Sequence, residues 1–152
     1  MSNLIFLVTF SLIFYVLGAA YLEAFVNYRT WGLIGAAEFK AHAEALGPRV
    51  VVVLVIPYAI GILLTVALLW IRPTPIPLWG VWLSLAFDLI AAFVTLRYQV
   101  PTQLAFHREG RSLARLERLI FVEWFRITPM TGNAILFFWL LWQLLLAPPV
   151  TS

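Results

Sequence analysis

The chain has 152 residues, 63% of them apolar and only 11% charged, with a mean hydropathy of +0.96. A water-soluble domain carries about 25% charged residues, so this chain lacks the polar surface of one, and its length suggests a single domain. It has no cysteine, which excludes disulfides, thiolate metal sites and cysteine nucleophiles.

Spanning a hydrocarbon core takes about 20 mostly apolar residues. Four stretches qualify: Leu4 to about Val26, Val50–Ile71, Leu78 to about Val100, and about Pro129 to Ala147. The second and fourth contain no charge at all. Lipid offers no partner for open backbone groups, so the spans are predicted to be helices. The start of the chain has no basic region and its apolar run is too long for a signal peptide, so the first span is read as retained. The expected fold is an all-α membrane protein, a four-transmembrane-helix antiparallel bundle.

Between these spans, Arg72–Pro77 is a short, proline-stiffened link. Asn27–Arg49 contains a short helix, Ala36–Leu46, which Gly47-Pro48 is expected to stop. In Pro101–Thr128, Leu113, Leu116, Ile120, Trp124 and Ile127 recur at helical spacing while Arg111, Arg115 and Arg118 mark another side. That pattern predicts a basic amphipathic helix at the interface, with Thr128-Pro129 opening the fourth span. Short interfacial helices are thus expected in the 1–2 and 3–4 connections. Nine of the ten Lys and Arg residues fall on those two connections or the adjoining span ends. Loops rich in Lys and Arg stay cytoplasmic, so a multi-pass protein of a bacterial inner membrane is expected, with both termini outside.

Asp88 interrupts the third span, where a carboxylate costs about 2.5–3.5 kcal/mol to insert. Such a residue faces the bundle interior and serves either as a proton acceptor or ligand anchor, or as a structural carboxyl that fixes helix register. Counting depth from the same face puts Tyr15, Tyr58 and Trp139 level with it as hydrogen-bond donors. Glu23, one turn inside its span end, is expected to pair with Arg97. Glu23 shares a helix face with Asn27, so Glu23, Asn27, Tyr28 and Arg97 would form a polar wall at the cavity mouth. His42 and Glu38, four residues apart, are half of a metal set that His107 would extend, but loop histidines are more often solvated and no metal site is assigned. Glu123 and Arg126 lie three apart, and Arg126 is read as either a ligand contact or an interface anchor. There is no lysine within a span, no phosphate-binding glycine loop, no G-x-S-x-G nucleophile and no S4-like arginine row.

Glu38-Phe39, His42, Arg49, Arg72-Pro73, Gln99-Val100-Pro101, Gln103, Gly110 and Glu123-Trp124-Phe125-Arg126 together resemble small bacterial four-helix membrane proteins related to the anthrone oxygenase-like family. The resemblance implies a four-helix bundle and, in some members, oxygenation of polycyclic aromatics. The chain departs from the family pattern at Gln103, where His is common, at Glu123, where Asn is common, and at Ile127, where Thr is common.

Three functions remain after this reading. The first is binding of a quinone- or anthrone-like molecule within the bundle, with cofactor-free oxidation using Asp88, His42 or Glu23 as the acid–base group. Tyr15, Asn27, Tyr28, Tyr58, Arg97, Trp139 and Arg126 would then contact the ligand. The second is a non-catalytic subunit of a homo-oligomer or larger membrane complex. The third is a small transporter, which four spans form only by dimerising. The cofactor is unknown from sequence, and the expected partner of the basic face is the lipid bilayer rather than nucleic acid.

Overall fold

A computed structural model describes residues 1–147. Its described residues form four long helices: α1 (Ser2–Trp31), α2 (Ala36–Ile71), α3 (Leu78–Glu109) and α4 (Leu113–Leu146), each long and apolar enough to cross a membrane. Each helix packs against the next in the chain and α1 also packs against α4, closing a ring of four.

The helices run further than the charge-free stretches. Gly47-Pro48 does not stop a helix, as Pro48 lies inside α2. Ala36–Leu46 is therefore the first part of the long helix α2, and its Phe39 and Ala43 are buried against Phe106 and Leu119. Likewise Thr128-Pro129 does not open a new helix. The basic amphipathic stretch passes through Pro129 into α4 without a break, with Leu116 and Ile127 buried. A proline costs a helix one hydrogen bond, but in an apolar surrounding there is no water to reward breaking the rest.

The turns are correspondingly short. Gly110, at φ +77° and ψ −159°, takes an extended positive-φ conformation open essentially to glycine alone and ends α3, and the Ser112 hydroxyl caps α4 by accepting from the Arg115 amide at 3.4 Å. Arg111 in this turn donates to the carbonyls of Gly32 (3.1 Å) and Ile34 (2.7 Å), tying it to the α1–α2 turn.

Three five-residue π-helical segments interrupt the regular winding: Glu23–Asn27 in α1, Val51–Val55 in α2 and Thr95–Gln99 in α3. The latter two end two residues before Pro57 and Pro101. Pro57 has no amide for the carbonyl four residues earlier, Val53, and the Tyr15 hydroxyl of α1 donates to that carbonyl at 3.0 Å instead. Each π turn rotates the remainder of its helix about the axis, and such bulges recur at functional sites.

Candidate functional site

Two buried polar groups occupy different levels of the molecule. The first surrounds Asp88 of α3. Asn133 of α4 donates its Nδ2 to Asp88 Oδ1 at 2.9 Å, and the Tyr58 hydroxyl donates at 2.6 Å to the backbone carbonyl of Asp88, not to its carboxyl. Asp88 Oδ2, Asn133 Oδ1 and Ser84 Oγ have no protein partner among the described residues. The cavity that Asp88 and Asn133 help to line measures about 20 Å³. That is room for about one water and too little for a ring system. The two other expected neighbours are elsewhere. Tyr15 is half exposed and bonded to Val53, and Trp139 lies on the outer surface with its ring 5.4 Å from that of Trp79. Tyr15 faces outward, and Trp139 lies beyond Asn133, the α4 residue that meets Asp88, close to Trp79 at the far end of α3, so it is neither level with Asp88 nor on the inward face.

The second group centres on Glu123 and Arg126 of α4, one turn before Pro129. Arg126 donates Nε to Glu123 Oε1 at 3.0 Å and also donates Nη2 to that oxygen, while Gln99 of α3 donates to Oε2. Glu123 and Arg126 are 1% and 4% exposed, so this is a fully buried charge pair. Desolvating two charges costs several kcal/mol each, and only good geometry with extra hydrogen bonds offsets it. Gln99 supplies one such bond. Arg126 Nη1 has no hydrogen-bond partner among the described residues.

Arg126 forms part of the wall of a far roomier cavity, about 410 Å³. The π segments of α2 and α3 form its sides through Val51, Leu54, Val55 and Thr95. Tyr28, Gln99, Gln103 and His107 supply its other polar atoms. Above and below this level, α2 and α3 pack directly on each other. Val51, Val55, Val100 and Leu104 on its rim are 41–47% exposed, so the opening faces the apolar flank of the molecule. Binding sites for small molecules are clefts of about 300–1,000 Å³, mostly apolar with a few placed polar groups, and this cavity has those proportions.

No protein-family model, curated protein or solved structure matches this chain.

The expected polar wall is partly assembled. Asn27 donates to Glu23 at 2.9 Å, and Tyr28 and Arg126 both line the large cavity. Arg97 does not pair with Glu23: it is exposed, with its guanidinium 5.4 Å from the Tyr98 ring. Glu23 instead lines a separate recess of about 160 Å³ with Arg49, on the far side of Leu46, Val50 and Leu54. His42 is exposed beside Trp31 and lines neither of these cavities. Among the described residues no three His, Asp or Glu side chains converge, so His42, Glu38 and His107 do not form a ligand set.

Gln99, Gln103 and His107 were not singled out as ligand contacts from sequence. Their spacing of four places them on one helical face, a signal hidden only because that stretch was read as a connection beyond Val100. Asn133 gave no signal, as a lone amide in an apolar span.

Proposed function

We propose that this chain is a bacterial inner-membrane protein that binds a flat lipophilic molecule bearing oxygen acceptors, of the quinone or anthrone class, in the cavity between α2 and α3. Its helices cross the bilayer as an antiparallel bundle, with the arginine-rich end in the cytoplasm and both termini outside. The observation that carries this reading is a largely apolar cavity of about 410 Å³ with the Arg126 guanidinium in its wall. The apolar walls would hold a ring system, while Arg126 Nη1 and the Gln103 amide would donate to its oxygens. The opening on the apolar flank would let the ligand arrive from the bilayer rather than from water.

The resemblance to the anthrone oxygenase-like family supports the same ligand class. Cofactor-free oxygenation needs a base that removes a proton from the substrate, leaving a carbanion that reacts with O₂. His107 is the imidazole that lines the cavity, so this reading assigns it the base in preference to Asp88 or His42.

The test is a binding titration of the purified protein with decylubiquinone and with anthrone, for wild type and Gln103→Leu. Losing one hydrogen bond of ordinary strength weakens binding by about twofold to tenfold. Saturable binding weakened in the variant supports the reading. Binding that is absent, or unsaturable and equal in both proteins, rejects it.

A further inference from the structure

The arginine-rich end carries a second recess, formed between α3 and α4 and separate from the ligand cavity. It measures about 150 Å³ and is lined by Arg97, Tyr98 and Thr102 of α3 and by Arg118, Leu119 and Val122 of α4. No Asp or Glu lines it, and among the described residues neither arginine forms an ion pair. Another basic side chain nearby, Arg115, is by contrast paired with Glu109. The Thr102 hydroxyl donates to the Tyr98 carbonyl at 2.6 Å, which fixes the α3 wall.

The surface leading away from the recess is apolar. Towards the middle of the spans, Phe93 and Leu96 precede Arg97 on α3 and are 61% and 69% exposed. On α4, Phe121 and Phe125 follow Arg118 at helical spacing and are 65% and 56% exposed. Two unpaired guanidiniums in a recess thus sit at one end of an exposed apolar strip. That is the complement of an amphiphile with an anionic head and hydrocarbon tails. Guanidinium matches phosphate oxygens in planar, two-pronged geometry, and basic pockets between spanning helices on the cytoplasmic side take lipid headgroups.

We propose that Arg97 and Arg118 form a binding site for the phosphate of an anionic phospholipid, whose acyl chains lie along Phe93, Leu96, Phe121 and Phe125. The site rests on the chain crossing a bilayer, and it is independent of the ligand in the large cavity. It gives Arg97 a role other than the pair with Glu23 that its position in the sequence suggested.

Delipidated full-length protein in mild detergent is titrated with phosphatidylglycerol or with phosphatidylcholine of the same acyl chains, and bound lipid is counted by native mass spectrometry. Each arginine near an anionic headgroup contributes about fivefold, so Arg97→Gln with Arg118→Gln is expected to weaken phosphatidylglycerol binding about thirtyfold. The exposed pair Arg29→Gln with Arg108→Gln removes the same charge elsewhere and leaves the preference for phosphatidylglycerol intact. Equal loss in both double variants would reduce the effect to general attraction and overturn the site, as would no loss in either. Displacement of phosphatidylglycerol by millimolar inorganic phosphate would show a site for free phosphate and overturn the lipid assignment.

Discussion

The Asp88 level and the Arg126 level of the same four helices are built in opposite ways. Around Asp88 the helices wind regularly and close on each other, leaving about 20 Å³. Phe6, Leu68, Phe137 and Leu140 fill the adjoining core completely, and Gly80 packs so close to Leu140 that an added Cβ would lie 2.9 Å from its methyl carbon. Around Arg126 three of the helices carry π turns, and the cavity measures about 410 Å³. Buried polar residues occur at both levels. What separates them is room. A buried acid marks where a membrane protein has committed to a polar contact, but only the cavity beside it decides whether a molecule larger than water can reach it.

The comparison breaks most visibly at the charge pair. Replacing Glu123 by Leu strands Arg126 in an apolar interior and is expected to destabilise the protein by about 3–5 kcal/mol, read as a loss of thermal stability in detergent. Glu123→Leu combined with Arg126→Leu removes both charges and should recover most of that loss. A single variant as stable as wild type would mean that Arg126 reaches water or another anion. In the tightly packed adjoining core, Gly80→Val adds three carbons, the first of them into space held by Leu140, and should cost about 1–3 kcal/mol by the same assay. Gly47→Ala offers a sharper contrast at the open level. Its added Cβ would lie 3.0 Å from the His107 ring, so it should displace His107 and change ligand affinity more than stability.

Smaller effects are expected from single hydrogen bonds between helices, which average about 0.6 kcal/mol in membranes and reach about 1.7. Asn133→Leu removes the one interhelical bond to the Asp88 carboxyl among the described residues and belongs at the upper end of that range. Tyr15→Phe frees the Val53 carbonyl on a half-exposed surface and belongs near the average. If Asn133→Leu cost nothing, the Asp88 level would be looser than its packing implies.

Much of the fold was legible because charge is scarce. The gaps between charged residues mark four stretches, and each falls in a helix long and apolar enough to cross a membrane. The helix limits were not legible, because Gly47-Pro48 and Thr128-Pro129 carry the signature of helix ends in water. In this chain both prolines sit inside continuous helix, and it is at Pro57 and Pro101 that π turns precede the proline, with the Tyr15 hydroxyl serving the carbonyl that Pro57 leaves open. Depth counting placed Trp139 beside Asp88 because it started the fourth helix at Pro129, whereas α4 begins at Leu113 and meets Asp88 at Asn133; Tyr15 faces outward. Arg126 and Tyr28 were found as site residues because charge and phenol are conspicuous in an apolar chain. Gln99 and Gln103 were missed because an uncharged amide stands out only once its helix is known to continue.

The central claim is that the cavity beside Arg126 holds a lipophilic molecule. It is tested most directly by organic extraction and mass spectrometry of wild type and Val51→Trp, both purified in mild detergent. Val51 lies on the cavity rim and is 47% exposed, so an indole there fills the opening without disturbing the core. The account predicts a stoichiometric quinone-like or polycyclic aromatic compound in the wild-type extract and its loss from a Val51→Trp protein of unchanged helicity. Bulk lipid alone in both extracts would contradict it.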